Sequence, residues 1–275
     1  MTVDIDEAID WQGNEIDCDA CDNRALLGEG RCRLKHACVN DRYARRIDRF
    51  FDWNPSLANG YLNHPHFEVR AIAAKSADVF LLPALLHDPD ETVRWNAVRR
   101  LPRRYLLVLR DDPHREVRIR VASLLNDSDL IPMVRDADYY VRLVVARRIP
   151  QTALPAMMAD EEAEVRRVVA SRIDGEALLQ MAADSDADVR LAVVRRLTPA
   201  ELIGFHRDPD WRVRYEAASR IAPGMLAEML NDPDDLVREA VRMRIEMQRA
   251  AEPGGNVLRL DRRRTKELPQ PTRRR

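Results

Sequence analysis

A Val-Arg dipeptide recurs with a constant 24-residue period through most of this 275-residue chain. Its eight copies are Val69-Arg70, Val93-Arg94, Val117-Arg118, Val141-Arg142, Val165-Arg166, Val189-Arg190, Val213-Arg214 and Val237-Arg238. Two more columns share this register. One is formed by leucines, at Leu82, Leu106, Leu130, Leu154, Leu178, Leu202 and Leu226. The other begins with His64 and continues with aspartates, at Asp88, Asp112, Asp136, Asp160, Asp184, Asp208 and Asp232. A fixed period of 20 to 50 residues is typical of a solenoid, in which each unit covers its neighbour's apolar face. The register predicts one repeat array over residues 64–246.

One unit is long enough for a single α-helix and a short helical turn. Asp88 is expected to cap the helix, with Pro89 at its first position. Val93 and Ala97 form an apolar stripe at spacing four, and the helix is expected to stop before Pro102. The remaining residues are too few for a second α-helix and two turns, so they predict a short 3₁₀ helix. The chain is therefore expected to be all-α.

A column of small side chains runs through the array: Ala73, Ala97, Val121, Val145, Val169, Val193, Ala217 and Val241. Small residues at a helix interface let helices approach to about 8 Å. This column predicts tightly stacked repeat helices.

Two arginine columns invite a functional interpretation. The first is the Val-Arg arginines, most of which have an acid four residues earlier, as Arg94 has Asp90. That spacing favours an ion pair within the helix and predicts a structural ladder. The second column comprises Arg100, Arg148, Arg172, Arg196, Arg220 and Arg244. The helix dipole explains cations at a helix end, but these residues are the first candidates for contact with an anionic partner.

All four cysteines of the chain are clustered near its beginning, at Cys18, Cys21, Cys32 and Cys38. We expect thiolates of a metal centre and not disulfides, because no secretory signal is recognisable. The spacing C-x2-C-x10-C-x5-C departs from common zinc sites, and iron-sulfur clusters accept several spacings. A zinc site of Cys18, Cys21, Cys32 and His36 is the rival. Spacing alone leaves both metals open.

Composition narrows the function classes. The longest apolar stretches, such as residues 80–86, are too short to span a bilayer. The segment 1–22 holds eight acids and no Lys or Arg, unlike a secretory signal, so we expect a cytoplasmic protein. Phosphate-binding glycine loops and hydrolase triads are not recognisable, and we expect no enzyme. We also expect a monomer.

Both ends of the chain are charged. Residues 1–17 form an acidic N-terminal segment, and residues 247–275 form a basic tail with nine Lys or Arg against three acids. Such charge blocks are typical of solvated, disordered ends. The net charge of −1 leaves the array near neutral, which argues against a large nucleic-acid footprint.

The register weakens between the cysteines and His64, where Asn40 and Arg46 still occupy the columns of Asp88 and Arg94. This segment is interpreted as a capping unit. The aromatic residues Phe50, Phe51 and Trp53 are expected to pack where the Cys-rich domain meets the first full repeat and to shield a metal centre from water.

The four early cysteines followed by 24-residue units such as DPDWRVR at 208–214 resemble the leucine-rich repeat variant family, over roughly residues 18–246. The resemblance implies alternating α and 3₁₀ helices in a right-handed solenoid, preceded by a domain with a 4Fe-4S cluster. Carried over to this sequence, the cluster ligands would be Cys18, Cys21, Cys32 and Cys38. The family is associated with nitrogen-fixation gene neighbourhoods and has no settled biochemical role.

The resemblance makes residues 18–63 an iron-sulfur domain with its capping unit and residues 64–246 the repeat solenoid. The expected function is a 4Fe-4S protein whose solenoid surface binds a protein partner, as a scaffold or a redox-linked accessory factor. The alternative is a nucleic-acid-binding helical-repeat protein with a structural zinc or iron-sulfur site, based on the second arginine column and the basic tail.

Overall fold

The computed structural model describes residues 7–251, which are almost wholly helical. The α-helices are α1 (Arg24–Gly28), α2 (Ala44–Trp53), α3 (Phe67–Ala73), α4 (Glu91–Val98), α5 (Arg115–Leu124), α6 (Tyr139–Ala146), α7 (Ala163–Arg172), α8 (Glu176–Gln180), α9 (Ala187–Val194), α10 (Trp211–Arg220) and α11 (Asp235–Ala251). Three isolated antiparallel bridges, Ile9 to Glu15, Asp10 to Asp41 and Arg33 to Ala37, are the β-structure found in these residues. Every helix within residues 7–251 is too short or too polar to cross a membrane.

Short 3₁₀ helices alternate with the α-helices, as the unit length predicts. They are Pro55–Tyr61, Leu82–His87, Arg103–Leu109, Asp127–Arg135, Gln151–Met157, Met181–Ala183, Glu201–Arg207 and Pro223–Met229. One unit departs from the pattern, because α8 precedes its short 3₁₀ helix. The chain divides into two compact units, Met1–Ala177 and Leu178–Arg275.

The core is built from the periodic columns. Every valine of the Val-Arg column and every member of the small-residue column is at most 1% exposed, and the leucine column is at most 6% exposed. Each repeat therefore buries the same few side chains, and its helix is stabilised by packing against neighbouring repeats rather than by its own length.

The α-helix of a repeat begins later than the sequence predicts. Asp90, not Asp88, caps α4, and its Oδ1 accepts a hydrogen bond of 2.8 Å from the Thr92 backbone N–H. Asp88 stands two residues ahead, where its Oδ1 accepts the Asp90 N–H at 2.9 Å. The prediction of Asp88 as the cap was wrong because its carboxylate closes a turn and meets the arginine of the preceding repeat.

The Val-Arg arginines form a structural ladder, but the predicted partner was wrong. Arg94 Nε and Nη2 donate to the two carboxylate oxygens of Asp112, both at 2.7 Å, and Nη1 donates to the Asp88 carbonyl at 2.8 Å. The pair thus joins neighbouring repeats rather than two turns of one helix. Within the first compact unit the same fork joins Arg70 to Asp88, Arg118 to Asp136 and Arg142 to Asp160, and within the second it joins Arg190 to Asp208 and Arg214 to Asp232.

The second arginine column is also used internally. Arg172 donates to the Ala146 carbonyl at 2.6 Å and to the Ile149 carbonyl at 2.8 Å, at the end of the preceding repeat's helix. Arg100, Arg148, Arg220 and Arg244 make the same contacts with the equivalent carbonyls of the preceding repeat. Free carbonyls at a helix end need donors, and these guanidinium groups supply them. The expectation that this column is first in line for an anionic partner is therefore corrected.

The capping unit is α2 with the 3₁₀ helix that follows it. Phe50 and Phe51 are buried and pack edge-to-face with Tyr61, with ring centroids 6.2 and 5.4 Å from that ring. Trp53 does not join them. It remains 40% exposed at the end of α2 and lies against the His36 ring.

The ends differ in part from expectation. Residues 7–17 of the predicted acidic segment are folded against the cap, where Arg46 donates to the Glu7 carbonyl at 2.7 Å. Residues 247–251 of the predicted tail complete α11. Residues 1–6 and 252–275 lie outside the described residues.

Candidate metal centre

The four cysteines lie on loops around the short helix α1. Cys21 precedes α1, and its carbonyl accepts the Arg24 N–H at 3.0 Å. Gly30 follows α1 with a φ of 70°, a left-handed conformation that favours glycine. The chain reverses there, and the Cys32 N–H returns to the Leu26 carbonyl at 3.2 Å. Thus α1 holds Cys21 and Cys32 on one compact loop.

A tight turn and the helix α2 place the last cysteine. Arg33 and Ala37 exchange two backbone hydrogen bonds of 2.9 and 2.8 Å, and Lys35 between them has a φ of 61°. The Cys38 N–H then donates to the Arg46 carbonyl in α2 at 3.1 Å. Cys38 is buried, whereas the other three cysteines are half-buried.

The pKa values show that the four thiols are neighbours. Burial raises the pKa of Cys38 to about 12, and charge on Cys32 and Cys21 adds to the rise. Burial also raises the pKa of Cys32, again with contributions from Cys21 and Cys18. The pKa of Cys18 is raised by burial and by Cys21. Charge on Cys21 thus opposes ionisation of Cys18, Cys32 and Cys38, and a bound cation would relieve that repulsion.

Two N–H groups point at one of the four sulfurs. The Asn23 backbone N–H and the Asn40 side-chain amide each lie 3.4 Å from Cys21 Sγ. The Asn23 side chain donates in turn to the Tyr61 hydroxyl at 2.7 Å. Hydrogen bonds to sulfur are among the features that set the potential of thiolate-held clusters. Cys21 therefore has the surroundings of a metal ligand tuned by its neighbours.

A buried amide fixes the loop to the cap. Asn54 is fully buried and donates through Nδ2 to the Arg31 carbonyl at 2.8 Å and to the Phe50 carbonyl at 2.9 Å. Because Arg31 adjoins Cys32, Asn54 holds that cysteine's backbone against the end of α2. It acts as a positioning residue for the loop.

His36, the fourth ligand of the rival zinc site, is engaged elsewhere. Its Nδ1 lies 3.1 Å from Arg49 Nη1, and its ring lies 5.5 Å from the Trp53 ring. Burial and Arg49 lower the pKa of His36. In residues 7–251 no three His, Cys, Asp or Glu side chains stand at the spacing of a single bound ion. The thiols are near one another without converging on one point.

The donor set fits an iron-sulfur cluster. Four cysteine sulfurs are what such clusters require, and the cap places aromatic side chains behind the loop. The four cysteines stay predicted ligands, and Asn23, Asn54 and Tyr61 were not predicted from the sequence. Asn40 was noticed only as a member of the aspartate column. Its amide in a column of carboxylates was the available signal, because an amide can donate to sulfur and a carboxylate cannot.

Comparison with known proteins agrees with this geometry. Residues 8–60, which include all four cysteines, match the family model described as the LRV protein FeS4 cluster, and residues 163–186 match the leucine rich repeat variant. The N-terminal region is thus an iron-sulfur cluster domain followed by variant repeats.

Two relatives extend the comparison. An uncharacterised 27.7 kDa protein in the nifB 3′ region of Rhodobacter capsulatus is 53% identical over 96 residues, 35% of this chain and 39% of that protein. The match therefore spans well under half of the relative's length. A solved leucine-rich repeat variant with a novel repetitive structural motif superposes with a TM-score of 0.79 and 43% identity, over 83% of this chain and 98% of that one. This chain belongs to the leucine-rich repeat variant family.

Proposed function

We propose that this chain is a 4Fe-4S protein that uses its repeats as a protein-interaction scaffold. The observation that carries the cluster assignment is the loop itself, which gathers Cys18, Cys21, Cys32 and Cys38. None of residues 7–36, which include three of the four cysteines, is buried, so this segment has no apolar core of its own. A metal centre is the natural source of its stability.

When bound, such a cluster supplies one-electron redox chemistry. The chain's own residues would bind the cluster, donate hydrogen bonds to its ligands and shield it from water. The four cysteines hold the group, Asn40 and the Asn23 N–H bond to Cys21, and Tyr61 with Phe50 and Phe51 limits water on the cap side. With four cysteine ligands no iron is left open to a substrate, which supports a non-enzymatic role.

The scaffold role rests on the repeats. Arrays of this kind present one extended surface made of equivalent positions, which suits a protein partner. The relative's gene lies in the nifB 3′ region, so the nifB product is the first partner to test, in a function linked to nitrogen fixation. Nucleic-acid binding is the weaker candidate, because the second arginine column is committed to helix carbonyls.

The first experiment establishes the metal. The protein is purified without oxygen and analysed for iron, sulfide and zinc, followed by paramagnetic resonance of the dithionite-reduced sample. About four irons and four sulfides per chain are expected. One zinc in a colourless protein would overturn the assignment and restore the zinc alternative.

The second experiment tests the scaffold. Equilibrium binding of the purified nifB product is measured with the holoprotein and with the Cys18→Ser/Cys32→Ser variant. Micromolar or tighter binding that persists in the variant, in which the repeats remain, supports the proposal, and loss of binding in the variant would assign the contact to the cluster domain. Absence of binding to the holoprotein, together with no partner among other nitrogen-fixation proteins tested in the same way, contradicts it.

A further inference from the structure

The first compact unit carries an open cleft of about 460 Å³ on the outer faces of α2 to α5. Four cations line it, one from each of the four successive units. They outnumber the two acids of the lining, Asp48 and Glu68, and they are Arg45, Lys75, Arg99 and Arg120. The cleft is therefore a local basic surface in an array whose overall charge is near neutral.

Two of these arginines are held by one aromatic ring. The guanidinium carbon of Arg120 lies 5.0 Å from the centroid of the Trp95 ring, and that of Arg99 lies 5.8 Å from it. Trp95 belongs to α4, Arg99 follows that helix, and Arg120 comes from α5. Cation–π contacts of this kind restrain long side chains while leaving their N–H groups free to donate. The ring therefore sets two guanidinium groups side by side.

Three cations of the cleft are not neutralised. Lys75 pairs with Asp48 at 2.8 Å. Among residues 7–251, no ion pair engages Arg45, Arg99 or Arg120, and all three are exposed. Their situation is opposite to that of Arg94, which is buried with Asp112. Planar guanidinium groups with free N–H donors match the two oxygens of a carboxylate.

The repeat does not require these residues. In the column of Trp95 the neighbouring units have Ala71 and Ile119. The column of Arg99 alternates between cations, at Lys75, Arg147 and Arg195, and serines such as Ser123, so it is the combination with Trp95 and Arg120 that is specific to this unit. In the column of Arg120 the next unit has Val144. A constellation that occurs at one unit, outside the buried ladder, is not explained by stacking. It calls for a ligand.

We propose that this cleft binds an acidic segment of a protein partner, whose carboxylates are held by Arg99 and Arg120 beside Trp95. The inference rests on the proposed scaffold function and names its contact surface. Protein carboxylates are favoured over nucleic acid because Trp95 already carries two guanidinium groups, whereas single-stranded nucleic acid is bound by free aromatic rings on which its bases stack.

The test is fluorescence anisotropy with the holoprotein and a fluorescein-labelled peptide of ten glutamates. A labelled single-stranded oligo(dT) of ten nucleotides is the comparison probe. Arg99→Gln/Arg120→Gln is expected to weaken peptide binding about tenfold. Trp95→Leu, which changes no charge, is expected to weaken it by a smaller factor. Circular dichroism melting checks that each variant remains folded.

The matched control is Arg147→Gln/Arg167→Gln, which removes two exposed arginines from the helix surface outside the cleft. It is expected to change the peptide Kd less than twofold. Equal losses for both pairs would overturn the proposal in favour of nonspecific charge. Tighter binding of the oligonucleotide through the same arginines would overturn the choice of partner.

The two proposals fail separately. If the natural partner binds the wild-type holoprotein and the Arg99→Gln/Arg120→Gln variant equally, the scaffold stands and the cleft is wrong. If no partner binds the wild type while the acidic peptide does so through these arginines, the cleft stands and the scaffold role fails.

Discussion

The Cys-rich loop and the repeats that follow it are stabilised in opposite ways. A repeat buries a valine, a small residue and a leucine in fixed positions and adds a buried ion pair to the next repeat. Residues 7–36 of the loop bury no side chain, whereas Ala37, Cys38 and Val39, next to the cap, are buried. Its order comes from backbone turns and from a few amides at the cap. From this contrast we expect the repeats to fold on their own contacts and the loop to depend on a bound metal.

The largest expected effect comes from removing the metal on which the loop is expected to depend. Cys18→Ser/Cys32→Ser should abolish the cluster and release residues 7–36, because no core remains to hold them. The repeat helices should be unaffected. Hydrogen exchange measured by mass spectrometry should show loss of protection in the loop and preserved protection in α4 to α6. Equal loss in both regions would contradict the comparison.

The next effect lies within the repeats. Arg94→Ala strands the buried carboxylate of Asp112, and we expect a cost of about 3–5 kcal/mol in the local free energy of opening. Asp90→Ala removes only a helix cap and should cost about 1 kcal/mol. Native-state hydrogen exchange of α4 and α5 amides measures both. A larger effect of Asp90→Ala would restore the pairing at spacing four.

A smaller effect concerns the reduction potential. Asn40→Ala removes one N–H donor from Cys21, and such donors stabilise the more negative, reduced form of a cluster. One hydrogen bond of about 1 kcal/mol corresponds to a fall of about 40 mV. Asn40→Asp should lower the potential further, because a carboxylate replaces the donor.

A redox titration monitored by paramagnetic resonance gives these potentials. Asn96→Asp, which makes the same exchange on α4, is the control and should leave the potential unchanged. An unaltered potential in both Asn40 variants would show that the contact between the Asn40 amide and Cys21 does not tune the centre.

The smallest effect is a pH dependence where the loop meets the first repeat. Trp11 stacks on His66 at 5.5 Å, and the His64 ring lies 6.5 Å from Trp11. Burial lowers the pKa of both histidines; Arg70 lowers both further, and Glu68 faces His66 at 3.8 Å. A histidine with a lowered folded pKa contributes stability above its unfolded pKa of about 6.5 and loses it as the pH falls toward the folded value.

Protection of the first repeat should therefore decrease modestly between pH 7 and pH 5.5. His64→Asn/His66→Asn should remove that dependence. Hydrogen exchange corrected for its intrinsic pH dependence is the measurement. A decrease of the same size in the double variant would assign it to other groups.

Sequence predicted the periodic part of the fold well, because periodicity directly reports which side chains face the core. The number of repeat helices, the 3₁₀ helices and the buried columns followed from the repeat register. The partners of Arg94 and Arg172 did not, since a contact between neighbouring repeats depends on how those repeats stack. The spacing of four residues predicted Asp90 as the ion-pair partner of Arg94, but in the structure Asp90 caps helix α4.

For the site, the four cysteine ligands stay a prediction, and the residues that surround them were not predicted. Clustered cysteines predict a metal centre because their thiolates are metal ligands. The contacts of Asn54 with the Arg31 carbonyl and of Asn23 with Tyr61 join segments that are distant in the chain, so no local pattern reveals them. Residues 7–17 were expected to be disordered from their charge, but Glu7 and Trp11 contact the cap and the first repeat.

Within each compact unit the Arg–Asp ladder has a direction, since the arginine of one repeat pairs with the aspartate of the next repeat. The two ends keep only the contacts within one repeat: His64 stands where the other repeats have an aspartate and accepts the His66 N–H, and Arg238 in the last helix donates to the Asp232 carbonyl and pairs with Asp235. A duplication or deletion of one whole repeat would leave every rung intact. A change that is not a whole number of repeats would leave a buried charge without its partner at the junction, so the number of repeats can change during evolution while the register cannot.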